Sequence, residues 1–252
     1  MDNLLRTEFI KLKRSYMFLI SILGTCVAPF MVVVASFISM RTKVPTPNIV
    51  FKQLFEEVSL YHMLIIGPPL YGVIIAYLFG REYIEDTLKN LLIIPISRES
   101  FLVSKIILLF LWIQTLSVIA WLLTLMLGML LHFQGLSQSL IIDSFFTFVI
   151  GGVLLWILSP PIIILSIYFK NYVPTIVLTI IITLINLMTA NSEHRGLFPW
   201  AAVGDISRGT LPNTYPFLLS LIIIIVTSIF SVIILFSYFK RFCCKVKNIA
   251  NH

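Results

Sequence analysis

The sequence predicts an all-α membrane protein: six transmembrane helices, an amphipathic N-terminal helix over residues 2–16, and a short cytoplasmic helix within 80–98. Three observations predict it. Of 252 residues, 59% are hydrophobic and 12% charged, with a mean hydropathy of +1.01; no soluble fold has interior enough for that much apolar surface. Six apolar runs, near 17–39, 58–79, 102–131, 145–168, 172–190 and 217–239, match the ~20 residues needed to cross a hydrocarbon core. The basic residues are also unevenly placed. With the N-terminus cytoplasmic, 13 of the 18 Lys and Arg lie inside (Arg6, Lys11, Lys13, Arg14, Arg81, Lys89, Arg98, Lys105, Lys170, Lys240, Arg241, Lys245 and Lys247). Arg41, Lys43, Lys52, Arg195 and Arg208 lie outside. The positive-inside rule then places both termini in the cytoplasm, and the net charge of +7 needs no nucleic-acid partner to explain it. Residues 1–252 read as a single six-span domain in the plasma membrane, with no room for a separate soluble one.

In chain order, Leu5, Phe9, Leu12 and Tyr16 recur at helical spacing while Arg6, Lys13 and Arg14 can reach lipid phosphates, the pattern of an interfacial helix. The run after Arg14 is too long for a signal-peptide core and lacks a small-residue cleavage site. Prolines punctuate the spans at Pro29, Pro68-Pro69, Pro160-Pro161 and Pro174. Each removes a helical donor, and the two Pro-Pro pairs read either as packing kinks or as hinges. Of the Asp, Glu, Lys and Arg residues, only Lys105 falls inside a span, four residues into it, where it is expected to snorkel toward the cytoplasmic interface.

Between the second and third spans, residues 82–93 place Ile84, Leu88, Leu91 and Leu92 on one helical face and Glu82, Glu85, Asp86 and Lys89 on another. Glu85 and Lys89 form a favourable i, i+4 pair. Pro95 ends the segment and Ser97 is placed to cap the helix after it. Joined closely to membrane helices at both ends, this segment reads as a lever for a soluble partner. On the opposite side, loop 191–216 carries Phe198, Pro199 and Trp200, suited to the headgroup layer, with Arg195 and Arg208 as a candidate external gate or headgroup contact. Glu56, Glu57, Glu193 and Asp205 read as loop carboxylates without visible partners.

Several functions are disfavoured. A carrier driven by protons or sodium needs an ionisable group at mid-membrane, and a voltage sensor needs several arginines. A selective channel needs a filter loop or a charged ring. No phosphate loop, catalytic triad or metal-ligand cluster is legible, so neither a catalytic residue nor a bound cofactor is expected. Cys26, Cys243 and Cys244 suggest no disulfide framework. Uncharged polar residues such as Gln114, Thr115, Ser117, Thr179, Thr183 and Asn186 either line a path or bridge helices.

The stretch Arg81-Glu82-Tyr83, Thr87-Leu88-Lys89-Asn90-Leu91-Leu92, Pro95-Ile96-Ser97-Arg98, Phe101 and Lys105 resembles the cytoplasmic signature of ABC-2-type transporter permeases. Asp86 stands where that family usually carries Gly before Thr87. The opening Thr7-Glu8-Phe9-Ile10-Lys11-Leu12-Lys13-Arg14-Ser15 and Val27-Ala28-Pro29-Phe30 are similar to permeases of bacitracin exporters and of lantibiotic self-protection exporters. The resemblance implies that residues 82–92, Thr87 among them, form a coupling helix docking on a separate ATP-binding subunit. That subunit would hold ATP and Mg, and a homodimer or a second permease would complete the path. Two alternatives stay open: a lantibiotic-immunity permease, and a non-transporting membrane partner that docks a cytoplasmic protein through 80–98.

Overall fold

The computed structural model describes residues 2–13, 15–42, 49–81, 98–212 and 214–250. Along them run α1 (Asp2–Lys13), α2 (Met17–Thr42), α3 (Phe51–Tyr61), a π turn (His62–Ile66), α4 (Gly67–Ile75) and a second π turn (Ala76–Gly80). Then follow α5 (Arg98–Leu130), α6 (Gln138–Ile157), α7 (Pro160–Phe169), α8 (Tyr172–Thr189), a 3-10 turn (Arg195–Leu197), α9 (Pro199–Arg208) and α10 (Phe217–Ala250). Among the described residues, six stretches are long and apolar enough to span a membrane: Met17–Thr42, Phe51–Gly80, Glu99–Leu130, Gln138–Ile157, Tyr172–Thr189 and Phe217–Tyr238. The protein is a multi-pass membrane protein. Its spans run antiparallel, so the bundle has an α1 end and an α9 end.

Two spans differ from the expected boundaries. The second begins at Phe51 rather than 58, taking Lys52, Glu56 and Glu57 into the helix. The apolar run alone could not show this, because the extra turns are amphipathic: Phe51, Leu54, Phe55 and Val58 are buried while Lys52 stays exposed. The Phe51 N–H also donates to Gln134 O at 3.0 Å, tying the helix start to the connection between α5 and α6. The expected fourth span, 145–168, is broken in two. Pro160 and Pro161 take the first-turn positions of α7, where a missing N–H costs no helical bond. The chain bends before them at Leu158, whose φ and ψ are −85° and 4°. The Ser159 carbonyl then accepts from Ile162 and Ile163, both at 3.0 Å.

The larger core gathers Met63, Ile74 and Leu78 of the second span with Leu109, Ile113 and Leu116 of α5 and Leu155 and Ile163 from α6 and α7. A smaller one packs Val32 and Val33 of α2 on Phe51, Leu54, Ala120 and Phe148 toward the α9 end. Lipid is as apolar as leucine, so such contacts alone give helices little reason to associate, and polar groups supply cross-links. Trp112 Nε1 donates to Ser21 Oγ at 3.0 Å, joining α5 to α2. Trp121 Nε1 donates to Ser144 Oγ at 3.0 Å and Trp156 Nε1 to Ile106 O at 3.1 Å, both joining α5 to α6.

The most consequential cross-link involves Pro68 and Pro69. In a helix the Leu64 carbonyl would accept from residue 68 in an α turn or from residue 69 in a π turn, and both are prolines without an N–H. The chain opens into a π turn here, with the Gly67 N–H reaching back to His62 O, and the Asn186 amide of α8 donates to the stranded Leu64 O at 3.0 Å. An unmet buried carbonyl costs about 1–3 kcal/mol. Asn186→Leu is therefore expected to lower the thermal midpoint of the detergent-solubilised protein, and adding Pro68→Ala, which returns an N–H at that point, to recover much of the loss. Additive losses in the double variant would show that the amide does not answer the proline.

Candidate functional site

At the α1 end, the residues read as a docking helix (Glu82, Ile84, Glu85, Thr87, Leu88, Lys89, Leu91 and Leu92) and the Ser97 cap lie outside the described residues. What flanks them is well defined. Arg81 follows the second π turn, its Nη1 donating to Tyr77 Oη at 2.7 Å, with the guanidinium 5.5 Å from that ring's centre.

Lys105 corrects an expectation: it does not snorkel. Its side chain is buried; Nζ donates to the carbonyl of Leu78 within the second π turn and sits 3.6 Å from Glu8 Oε2 on α1. The rings of Phe101 and Phe79 lie 5.2 and 5.8 Å from Nζ, and Lys11 pairs with the second oxygen of Glu8 at 2.7 Å. A lone charge is too costly to bury, so the ammonium takes a carboxylate, a carbonyl and two aromatic faces in place of water. One side chain thus ties together α1, the end of the second span and the start of the third. The N-terminal helix itself ends at Lys13, and Tyr16 beyond it is 79% exposed.

At the α9 end, loop 191–216 has structure of its own. It folds into the 3-10 turn and α9, and Ala201, Ala202, Val203, Gly204 and Asp205 are all buried. Asp205, expected to lack partners, is the centre of the assembly. Arg195 Nε lies 2.8 Å from its Oδ2, while Arg208 Nη2 at 3.2 Å and Thr210 Oγ1 at 3.1 Å donate to Oδ1. Arg195 also donates to the carbonyls of Ala190 at 3.0 Å and Thr210 at 2.9 Å, joining the two ends of the loop. Burial raises the pKa of Asp205 from its ordinary value, and the two guanidinium groups oppose that shift. Burial likewise lowers that of Arg208, with Asp205 opposing. Phe198 and Trp200, 5.8 Å apart, are half-buried against the core. Arg195 and Arg208 thus meet at one carboxylate, with the two rings beside them on the same segment.

Deeper in the bundle, Tyr71 Oη lies 3.2 Å from His62 Nε2 and 3.5 Å from Ser117 Oγ. Gly152 of α6 makes room for this group: a Cβ there would meet Ser117 Oγ at 2.7 Å and Gln114 Nε2 at 3.1 Å. Other polar residues bond within the helices or across them. Thr183 Oγ1 donates to Thr179 O at 2.8 Å, Thr115 Oγ1 to Leu111 O at 2.7 Å, and Asn186 to Leu64 O.

A family model described as ABC-2 family transporter protein matches residues 4–186. The chain belongs to the ABC-2 transporter family. It is also 47% identical over 201 residues, 80% of this chain and 97% of the relative, to the bacitracin transport permease protein BCRB of Bacillus licheniformis. The family match takes in Glu8, Lys105, the Pro68-Pro69 pair and Asn186 of this ABC-2 chain, and ends ahead of Asp205.

Sequence reasoning missed Glu8 and Asp205 as structural anchors, whereas Asn186 takes the helix-bridging role, one of the two read for it. Signals existed for Asp205 and for the partner of Asn186: Asp205 stands three residues before Arg208, a distance at which helical side chains meet, and a Pro-Pro pair inside a span implies an unmet carbonyl. Removing Asp205 would leave two guanidinium groups facing each other, and breaking a buried pair from one side costs about 3–5 kcal/mol. Asp205→Ala is expected to lower the thermal midpoint by several degrees and to open the Pro199–Arg208 helix to amide hydrogen exchange, with Asp205→Asn intermediate. Unchanged exchange would show that the packing of Ala201 to Gly204 suffices to hold α9.

Proposed function

We propose that this chain is the transmembrane permease subunit of an ATP-binding-cassette exporter that carries bacitracin and so confers resistance or self-protection. The observation that carries the reading is the 47% identity extending over 97% of a protein named as a bacitracin transport permease. ATP hydrolysis belongs to a separate subunit holding ATP and Mg. Residues 82–92 are the docking segment for it, with Ile84, Leu88, Leu91 and Leu92 filling its groove, Glu82, Glu85 and Lys89 at the rim, and Thr87 among the docking residues. Both termini lie in the cytoplasm, which puts that segment on the ATPase side. Six spans form half of a path, so a second permease, identical or not, completes it.

The architecture supports a mechanical account. The docking segment joins the second π turn (Ala76–Gly80) to α5, and Lys105 ties that turn, α5 and α1 together. A push on residues 82–92 is then received by three helices as one body rather than lost in a flexible joint. The Pro160-Pro161 break separates α6 from α7, which packs on the second π turn and on α10. It is placed as a hinge between the moving end and the rest of α6. Pro68-Pro69, held by Asn186, makes the stiffer of the two proline sites.

The reading predicts that the tagged chain, captured in mild detergent, brings down a subunit with a phosphate loop and ATPase activity, and that a bacitracin-sensitive bacterium expressing both becomes resistant. Leu88→Asp is expected to abolish both capture and resistance while membrane insertion persists. Undiminished capture would remove the docking assignment. Resistance without the ATPase would remove the exporter reading.

A further inference from the structure

A cavity of about 250 Å³ opens at the α9 end between α3, α6 and α9. Its wall is partly apolar, from Phe55, Leu140 and Phe148. Four charged side chains, Lys52, Glu56, Asp143 and Arg208, share it with three hydroxyls. The hydrogen-bonding capacity still open on the three hydroxyls of this cavity has one sign. Ser59 Oγ donates to Glu56 O at 2.9 Å, Ser144 Oγ to Ile141 O at 3.0 Å and Thr147 Oγ1 to Asp143 O at 2.9 Å. Each hydroxyl has thus given its hydrogen to its own helix and keeps only lone pairs for a ligand.

Each cation has a carboxylate beside it: Arg208 donates through Nε to Gly204 O at 2.8 Å and through Nη2 to Asp205, and Nζ of the largely exposed Lys52 lies 4.0 Å from Glu56 Oε1, an ion-pair separation without a hydrogen bond. Asp143 is exposed and has no ion-pair partner among the described residues. Beyond those two pairs, the cavity offers one carboxylate without an ion-pair partner, three hydroxyl oxygens as acceptors and an apolar wall.

We propose that this vestibule binds a primary ammonium group of the peptide cargo, with Asp143 as counter-ion, Ser59 and Thr147 as further acceptors, and Phe55 and Phe148 flanking the methylene stem. An ammonium carries three donors and no acceptor, which complements this lining. The cavity is smaller than the ~300–1,000 Å³ of sites that enclose a whole small molecule, so it fits one side chain of a larger ligand. A divalent cation is poorly served, because one carboxylate is uncommitted and two cations stand in the same lining. An aminophospholipid would bring its phosphate close to Asp143, and the lipid arm of the test below separates it from a peptide. The assignment of the ammonium to a peptide rests on the exporter reading.

The test is charge-selective labelling. In a variant with Cys26, Cys243 and Cys244 replaced by Ser, Thr147→Cys is reacted with trimethylammonium-ethyl and sulfonatoethyl methanethiosulfonates. The protein, with its ATPase, is held in phosphatidylglycerol nanodiscs. Relative to their rates with a small free thiol, the Asp143 carboxylate is expected to favour the cationic reagent about tenfold. Asp143→Asn should bring the ratio toward one, and Asp143→Glu should keep it. Bacitracin with free primary amines is expected to protect the thiol and its acetylated form not to. Equal reagent rates, or a ratio indifferent to Asp143→Asn, would overturn the site; protection by both peptides or by neither would overturn the ammonium assignment. Protection appearing only when phosphatidylethanolamine is added would overturn the peptide as its source. The labelling rates need neither ATP nor transport, so the site and the exporter reading fail separately.

Discussion

The constraint on which this fold depends is that hydrocarbon offers no hydrogen bonds, so each backbone carbonyl inside it must be met by the protein itself. The second span breaks that rule twice over, with two adjacent prolines in place of both donors that could reach Leu64 O. The structure meets the deficit from another helix: Asn186 gives its amide to that carbonyl. This substitution fixes the second and fifth spans against each other at a defined height and rotation, which apolar contacts would leave free to slide. The close approach of Gly72 to Thr179, along the same pair of helices, agrees with that register.

Charge is treated in the same way at the two ends. At each, a buried ion finds several partners at once: Lys105 has Glu8, a carbonyl and two rings, and Asp205 has two arginines and a threonine. Neither is a surface pair of negligible worth. Lys105 joins segments far apart in sequence and Asp205 closes the loop between the fifth and sixth spans, so the ends of the bundle are tied by electrostatics and its middle by aromatic and amide cross-links. At the α1 end, the second π turn and α5, which flank residues 82–97, are both held by Lys105; at the α9 end, Asp143 keeps a carboxylate to offer.

Much of this was legible in the residues. Six long apolar runs and the uneven Lys and Arg distribution led to the fold class, and the stretch from Arg81 to Lys105 led to the family. The parts that were not legible share a cause: they depend on which residues meet across the bundle. Hydropathy placed Phe51 to Glu57 outside the membrane because only one face of that stretch is apolar, and the other helices that bury this face are distant in sequence. It made a single span of 145–168 because Leu158, Ser159 and the two prolines hardly interrupt an apolar average. Lys105 looked able to reach water because nothing local indicated that Glu8, on a separate helix, would be its neighbour. Asp205 looked idle for the same reason, Arg195 being ten positions away and brought close only by the fold of the loop.

The two π turns of the second span carry a consequence of their own. A π turn contains one residue more than the α turn it replaces, so it shifts the phase of everything beyond it by about a third of a turn. In the second span the first such shift sets the angle between the vestibule face, with Lys52, Glu56 and Ser59, and the face on which Tyr71 and Gly72 meet their neighbours. The second sets the heading of Arg81 as the chain leaves the bundle. The span therefore behaves less as a rod than as three segments keyed at chosen angles. A surplus residue of this kind can move along a helix without parting the chain, which gives the second span a way to turn one end relative to the other while its length stays nearly constant.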